Sequence, residues 1–333
     1  MDNTGIILTL AYPETIVMVA KEWYSPLMRY VGIGKKDYLR AGHAALVLIN
    51  KSTGILEYHD FGRYITSEPY GRVRGRETDF ELHFPIKAQI TNGKIENLAE
   101  ILKFLATNPR LTHGEGTLYA SVCDCVDYQK TREHITKMQN KHLIRYAAFI
   151  KEASNCARFV TGALIAGVTD AKLKNKLKRS TLFTPSTIGN VVIADTQNKV
   201  YQVSEIGTID TFQSSVFKVN RENFLDKLKW HKPNFTGTLE PMHTNEKGEH
   251  AQWLEGIAAG AWFELHGTDS VLEYRFRRIS PHGNVDVHGI YKVNDASFNH
   301  EEDYNFIHYS NCAFFHIRQD NKNYRFDFLR PFS

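Results

Sequence analysis

The sequence predicts an α+β protein with two domains, a mixed N-terminal domain followed by a small antiparallel β domain. Residues 44–61 contain two β-type runs separated by a turn cluster, which is typical of a hairpin. Residues 156–167 form an apolar stretch at helical spacing. From Trp253 onward, short strand-like runs alternate with turn signals. Because the composition changes near residue 218, we predict domains at residues 1–217 and 218–333.

Composition and charge exclude several classes of protein. The 333 residues are 42% hydrophobic, enough for a substantial core, and the net charge of +4 is spread along the chain. A nucleic-acid-binding protein has a clustered basic charge instead. No stretch approaches the roughly 20 apolar residues that a membrane span needs. We therefore predict no nucleic-acid partner and no membrane span, and the sequence leaves the oligomeric state open.

Cysteine usage and the first residues suggest a location. Four cysteines in a chain of this length are too few for a disulfide framework, and they fit a reducing compartment. Pro13 and Glu14 interrupt the apolar run that starts at Gly5, so this run does not have the pattern of a signal peptide. We expect a cytoplasmic location, unless an export segment absent from this sequence has been removed.

Periodicity and turn residues predict the other elements of the N-terminal domain. We predict strands at residues 5–10, 117–125, 191–194 and 199–203, the last two as a hairpin, and helices at residues 16–24, 95–105, 128–141 and 171–179.

The apolar helix begins with a cysteine. Ser154 and Asn155 are good N-cap residues, and Gly167 is a good C-terminal stop. A thiol in the first turn lies where free backbone N–H groups and the helix dipole favour a thiolate. Cys156 is therefore a candidate nucleophile, and an inert buried cysteine is the alternative.

The hairpin supplies a candidate base. His43 stands at the start of its first strand, and an imidazole near the thiol would take up the thiol proton. Pairing of Ile49 with Ile55 across the turn sets Phe61 opposite His43.

The two motifs together resemble a known family. A Gly42-His43 strand followed far downstream by Asn155-Cys156-x-x-Phe159-Val160 is similar to the circularly permuted branch of the NlpC/P60 superfamily, which includes lecithin-retinol-acyltransferase-like proteins. The resemblance covers roughly residues 5–215. It implies a papain-like fold, in which a cysteine helix packs on an antiparallel sheet that carries the histidine.

The same resemblance implies a third polar residue on the strand after the base. On that strand Glu57 and His59 share one face, and Tyr58 and Asp60 share the other. We predict that His59 orients His43. Glu57 and Asp60 are alternatives, because a register error of one residue changes the choice.

An oxyanion site completes the expected machinery. The backbone N–H of Cys156 and one side chain would hold the oxyanion. Family analogy suggests Tyr12 for the side chain, and an aromatic residue packed beside Pro13 is the alternative.

The remaining cysteines are not predicted to be catalytic. The Ser-Asn-Cys tripeptide at residues 310–312 repeats the one at residues 154–156, but residues 306–318 alternate like a strand, so Cys312 is interpreted as structural. Cys123 and Cys125 would face the same side of a strand, yet no second cysteine pair completes a zinc site. We predict no metal and no cofactor.

The resemblance implies a cysteine hydrolase. Attack by Cys156 would cleave an amide bond in a small peptide or muropeptide-like substrate of the cell wall and leave an acyl-enzyme, which water then hydrolyses. An acyltransferase or thioesterase with the same triad is the first alternative, and a catalytically silent binding module is the second. Ala44 replaces the tryptophan common in the acyltransferase-like members, and Ala157-Arg158 replaces their acidic or histidine pair, which argues against a lipid acyl substrate.

Overall fold

The computed structural model describes residues 3–28, 30, 32–35, 37–232, 244 and 246–332, and its contacts divide the chain into two units. The first unit contains Met1–Gly62 and His83–His231, and the second contains Arg63–Leu82 and Lys232–Ser333. The predicted boundary after residue 217 differs from this division at two places. Residues 218–231 belong with the first unit, and a segment from the middle of the first predicted domain belongs with the second.

The described residues form strands and helices with the following bounds, each numbered in chain order. The strands are β1 Gly5–Tyr12, β2 Ile16–Met18, β3 Tyr38–Arg40, β4 His43–Asn50, β5 Leu56–Gly62, β6 Tyr70–Arg74, β7 Ile90–Thr91, β8 Lys94–Ile95, β9 Leu118–Val126, β10 Ile144–Arg145, β11 Tyr201–Val203, β12 Ile209–Thr211, β13 Gln252–Leu254, β14 Ala261–His266, β15 Glu273–Ile279, β16 Val285–Val293, β17 Asn305–Ile307, β18 Phe314–Gln319 and β19 Lys322–Pro331. The helices are α1 Ser25–Met28, α2 Leu98–Thr107, α3 Pro109–Thr112, α4 Tyr128–Gln139, α5 Cys156–Gly167, α6 Ala171–Ser180, α7 Thr187–Ala194 and α8 Val216–Phe224.

An antiparallel sheet forms the centre of the first unit. Its strands there lie in the order β5-β4-β1-β9-β11-β12. Every residue of β1 is buried, as are all but the last of β4, because helices cover both faces of the sheet. Helices α4, α5 and α7 pack on one face, where Phe61 of β5 contacts Phe159 of α5. On the other face, the Tyr58 hydroxyl donates to the carbonyl of Thr112 in α3.

Two predicted elements of this unit are wrong. The segment at residues 16–24 is not a helix, because Ile16 and Val17 are β-branched and pair as strand β2 with β3. Residues 191–194 are the end of helix α7 and not a strand. Ser186 caps that helix, since its Oγ accepts a hydrogen bond from the backbone N–H of Gly189 at 3.0 Å. Burial of this helix removes the amphipathic pattern that would have revealed it.

Residues 252–331 of the second unit form an antiparallel sheet in the order β13-β14-β15-β16-β19-β18-β17, which confirms the predicted β domain. Its two edges nearly close on each other. The Gln252 side chain in β13 donates to the carbonyl of Tyr304 and accepts from the N–H of Phe306, both at 2.9 Å. Stacked aromatic rings fill the interior, with Phe276 and Phe315 at a centroid distance of 4.1 Å.

Buried ion pairs hold residues 63–82 in the second unit. The Asp79 carboxylate accepts two 2.6 Å hydrogen bonds from Arg72 and one of 3.1 Å from Arg278, and all three side chains are buried. Burial opposes ionisation of Asp79, but the surrounding guanidinium groups prevail and lower its pKa. Because such pairing brings together distant parts of the chain, no local sequence signal marks this segment as part of the β domain.

None of the helices in the described part of the chain has the length and apolar character that a membrane crossing needs.

Candidate active site

Helix α5 presents Cys156 at its first position. Asn155 is the N-cap, as predicted, and its Oδ1 accepts a hydrogen bond from the N–H of Arg158 at 2.9 Å. Its Nδ2 donates to Thr184 Oγ1 at 3.1 Å, so the cap is itself held in place. The N–H groups of a first helical turn have no carbonyl partner within the helix, and they point towards the region of the thiol. Cys156 is 7% exposed, so this region is largely shielded from water.

A buried polar contact fixes the orientation of α5. Thr161 Oγ1 donates to Asn190 Oδ1 of α7, and Asn190 Nδ2 donates to the carbonyl of Ala157, both at 2.8 Å. All three groups are buried, so this contact anchors the first turn of α5 against its neighbour.

His43 is the first residue of β4 and lies between Asp60 and Cys156. Its Nε2 is 3.1 Å from Asp60 Oδ2, and its ring also hydrogen-bonds the Cys156 thiol. Because Nε2 faces the carboxylate, Nδ1 is the nitrogen left for sulfur. Burial lowers the pKa of His43, but the hydrogen bonds and negative charges of Asp60 and Cys156 prevail, and together they raise it from 6.5 to about 9. The imidazolium form is therefore favoured at neutral pH.

Asp60 holds the other side of His43. Its side chain is fully buried, and its Oδ2 is also 3.1 Å from the Tyr58 hydroxyl. Tyr58 is two residues earlier on the same face of β5, as the alternation predicted. No role is predicted for Tyr58 from the sequence, although an aromatic hydroxyl two residues from a strand carboxylate was the available signal.

The structure does not place His59 or Glu57 beside His43. The predicted register is wrong by one residue, since Ile49 pairs with Leu56 and Ala45 with Asp60. His59 and Glu57 lie on the opposite face of β5, where His59 Nε2 is 3.6 Å from Glu57 Oε2. Of the predicted third residues, only Asp60 contacts the base.

Glu57 instead connects the sheet to helix α4. Its Oε2 is 2.7 Å from Arg132 Nε, and its Oε1 accepts a hydrogen bond from the Tyr128 hydroxyl. Burial opposes ionisation, but the hydrogen bonds of His59 and Tyr128 and the charge of Arg132 prevail and lower the pKa of Glu57. These contacts hold α4 against the sheet and leave Glu57 with no contact to His43.

Tyr12 packs against the base. It pairs with His43 across strands β1 and β4, and the two rings stack at a centroid distance of 6.5 Å. Its hydroxyl donates to the carbonyl of Leu105 at 3.2 Å and is buried, which raises its pKa. Gly114 permits this placement, because a Cβ there would lie 2.2 Å from the Tyr12 ring. The hydroxyl is thus used in packing, and its predicted role as an oxyanion donor is unsupported by this geometry.

The other cysteines lie in different surroundings. Cys312 is fully buried in the second unit, just before strand β18, and burial raises its pKa. Cys123 and Cys125 lie on β9 with their sulfur atoms 4.0 Å apart. Among the described residues, no group of three or more His, Cys, Asp or Glu side chains is arranged to hold a metal ion.

Two family models match this chain. Residues 7–173 match the family described as type VI secretion system effector TseH-like, and residues 251–329 match the DUF6695 C-terminal domain. The first match contains Cys156, His43 and Asp60. No curated protein is significantly similar to this chain.

One solved structure is similar to part of the chain. The crystal structure of the type VI secretion system effector TseH covers 64% of this chain and 100% of its own, with 16% identity and a TM-score of 0.39. That score is too low to establish a common fold, so the assignment depends on the sequence match. Because residues 7–173 make up half of the 333 residues, the chain belongs to the TseH-like family of type VI secretion system effectors.

Proposed function

We propose that this protein is a cysteine hydrolase that cleaves an amide bond through a thioester acyl-enzyme. Cys156 is the nucleophile, His43 the base and Asp60 the residue that orients the base. The observation that carries the proposal is the buried Asp60–His43–Cys156 line at the N-terminus of α5. A thiol, an imidazole and a carboxylate in this order are the parts that nucleophilic thiol catalysis requires.

The first half-reaction forms the acyl-enzyme. Asp60 accepts a hydrogen bond from the Nε2–H group of His43 and fixes the tautomer, so Nδ1 of His43 takes the proton of Cys156. The raised pKa of His43 and the positive end of α5 both favour the resulting imidazolium–thiolate pair. Sulfur attacks the substrate carbonyl, and the N–H groups of the first turn of α5 stabilise the oxyanion. His43 then returns the proton to the leaving amine as the C–N bond breaks.

The second half-reaction releases the acyl group. Nδ1 of His43 removes a proton from water, and the hydroxyl oxygen attacks the thioester carbon. The C–S bond breaks, the carboxylic acid leaves, and Cys156 regains the proton. Tyr58 supports both halves when its single hydroxyl proton points to Asp60 Oδ2, 3.1 Å away, and not to the carbonyl of Thr112.

For the substrate we propose a peptide of the bacterial cell wall. The proposal is supported by the resemblance of the His43 and Cys156 motifs to those of permuted NlpC/P60 proteins. We propose the papain-like fold of that branch for the first unit of this chain as well. Membership of a family of secretion system effectors favours action after export over the cytoplasmic location that the cysteine content suggested. The departures at Ala44 and Arg158 argue against a lipid acyl substrate.

A thiol-reactivity experiment tests the catalytic pair. Iodoacetamide is added to the protein at about pH 6, and the alkylation of each cysteine is followed by tryptic mass spectrometry. Cys156 lies on the tryptic peptide of residues 152–158, which separates it from Cys125 on residues 111–130. We expect Cys156 to react faster than a model thiol, because the His43 imidazolium stabilises the thiolate. His43→Ala should slow this reaction, and equal rates in both proteins would refute the pair.

A substrate screen tests the reaction class. Purified protein and Cys156→Ala are incubated with muropeptides, γ-glutamyl peptides and acyl-thioesters, and products are identified by mass spectrometry. Release of peptide fragments from muropeptides by the unsubstituted protein alone supports the proposal. Turnover of thioesters alone favours the thioesterase or acyltransferase alternative. Binding of a compound without turnover, by both proteins equally, identifies a silent binding module.

A further inference from the structure

The thiols of Cys123 and Cys125 lie together in the first unit, and the proposed hydrolysis does not use them. Both are on β9, and their sulfur atoms are 4.0 Å apart. Cys123 is fully buried, whereas Cys125 is partly exposed. Cys156 is at the far end of α5, whose 12 residues span roughly 18 Å, so the pair is separate from the catalytic thiol.

A bulge in β9 brings the two cysteines into a geometry that a disulfide accepts. Strand β1 pairs Gly5 with Val126 but Ile7 with Cys123, so two residues of β9 oppose one of β1. In a regular strand, alternate Cα atoms are roughly 6.6 Å apart, close to the upper limit of about 6.8 Å for a disulfide. A bulge bends the strand locally, and the two sulfur atoms are already 4.0 Å apart. The sulfur atoms can therefore approach by side-chain rotation, without unpairing the strand.

The surroundings of the two sulfur atoms differ in a way that assigns them different roles. The hydrogen bond from the Cys123 thiol lowers the pKa of Cys125, and a hydrogen bond from the backbone N–H of Asp170 lowers it as well. Burial opposes both effects, and the resulting pKa is about 7. Asp170 is the N-cap of α6, so this N–H is held by the helix that follows. The pKa of Cys123 is raised, because its proton is shared with Cys125 and its sulfur is buried.

We propose that Cys123 and Cys125 form a redox-active dithiol that small disulfides oxidise, with Cys125 as the attacking thiol and Cys123 as the resolving thiol.

The exchange takes place in two balanced steps. The Cys125 thiolate attacks one sulfur of glutathione disulfide, which forms a mixed disulfide and releases one glutathione thiolate. Cys123 then loses its proton to that thiolate or to water and attacks the Cys125 sulfur. The Cys123–Cys125 bond forms, and the second glutathione leaves. Two electrons pass from the cysteine pair to glutathione disulfide, which becomes two glutathione molecules.

Backbone hydrogen bonds connect the cysteine pair to the C-terminal end of α5, so we expect oxidation of the pair to affect this region. The carbonyl of Cys125 accepts hydrogen bonds from the N–H of Thr169 at 2.9 Å and from its hydroxyl at 3.0 Å. The N–H of Asp127 donates to the carbonyl of Gly167, the last residue of α5, at 2.9 Å. The amide of Thr169 therefore reports on the redox state of Cys125.

A mass-spectrometric titration tests the proposal. Reduced full-length protein is equilibrated with glutathione disulfide, the remaining thiols are blocked, and the protein is digested with trypsin. Both cysteines lie on the tryptic peptide of residues 111–130, so a bond between them removes two hydrogen masses from one peptide. We expect this peptide to gain the internal bond while Cys312 stays reduced. Cys156 lies on a peptide with one cysteine, so any oxidation there appears as a mixed disulfide with glutathione and not as a loss of two hydrogen masses. Persistence of two free thiols on residues 111–130 would overturn the proposal.

Single substitutions test the two roles. In Cys123→Ser, Cys125 should accumulate as a mixed disulfide with glutathione, because no resolving thiol follows. In Cys125→Ser, Cys123 should stay reduced, and the rate of mixed-disulfide formation should fall by on the order of tenfold or more. Equal rates in the two variants would contradict the assigned roles. The same titration on Cys156→Ala should give an unchanged result, which separates this proposal from the hydrolase proposal.

Discussion

The tripeptide Ser-Asn-Cys occurs twice in this chain, and the two copies have opposite surroundings. Asn155 caps helix α5, so Cys156 lies in the first turn of a helix with His43 as a neighbour. Asn311 instead accepts hydrogen bonds from the N–H groups of Ala313 and Phe314 in a turn that leads into strand β18. Cys312 is consequently fully buried, and burial raises its pKa. The asparagine forms a local cap in both places, and the residues that follow decide whether the thiol is activated.

The electrostatics of the two cysteines sharpen this comparison. A buried positive charge lies near each, His43 near Cys156 and Arg278 near Cys312. Arg278 is already paired with Asp79, Glu81 and Asp286, so its charge is used in the ion network of the second unit. Burial raises the pKa of Cys312, and the negative charges of these three acids raise it further, against the lowering effect of Arg278.

The first prediction compares the two thiols directly and has the largest expected effect. Cys156→Ala should lower kcat/KM for muropeptide hydrolysis by roughly 10³-fold or more, because the nucleophile is removed. Cys312→Ala should leave kcat/KM within about twofold, since its thiol does not contact the catalytic groups. Steady-state kinetics on both variants checks this. An active Cys156→Ala protein would assign the nucleophile elsewhere.

The second prediction concerns Asp60, the carboxylate that contacts His43 beside Cys156. Asp60→Asn should lower kcat by roughly 10²- to 10⁴-fold, because an amide no longer fixes the tautomer of His43. His59→Gln is the matched control on the opposite face of β5, and its effect should fall on thermal stability rather than on kcat. Kinetics and circular dichroism melts of both variants are the measurements. A larger loss of kcat in His59→Gln than in Asp60→Asn would favour the hairpin register that was predicted from the sequence.

The third prediction concerns pH. The folded-state pKa of His43 is about 9, above its ordinary value of 6.5, so the folded protein binds this proton more tightly. The resulting stabilisation, roughly 3 kcal/mol, is fully present below pH 6.5 and is lost as the pH rises through 9. Urea unfolding of the protein and of His43→Gln across this range measures the difference. A pH slope that is the same in both proteins would show that His43 has no raised pKa.

The fourth prediction has the smallest expected effect and concerns Cys312 alone. Cys312→Ala should lower the free energy of unfolding by about 1 kcal/mol, because a small apolar contact is lost from a filled core. Cys312→Ser should lower it further, since a more strongly hydrated hydroxyl replaces sulfur at a fully buried position. Urea unfolding of the two variants gives the order. A serine variant as stable as the unsubstituted protein would indicate a polar site.

Local sequence patterns were enough to predict the parts of the candidate site that depend on neighbouring residues. The Asn155 cap, the length of α5 and the hairpin that carries His43 all follow from local capping, apolar spacing and turn chemistry. The short antiparallel strands after Trp253 were predictable for the same reason. Each is encoded within one continuous stretch of the chain, so one sequence suffices to predict it.

Which partners these parts meet depends on long-range packing, and this became visible in the folded chain. A single-residue change in hairpin register brings Asp60, and not His59, to His43, because alternate residues of a strand point to opposite faces of the sheet. Burial removed the periodic pattern from α7, and long-range ion pairs assigned residues 63–82 to the second unit. Pairing of β1 with β4 stacks Tyr12 on His43 and directs its hydroxyl to Leu105. These outcomes depend on contacts between residues distant in the chain, and local sequence patterns do not encode such contacts.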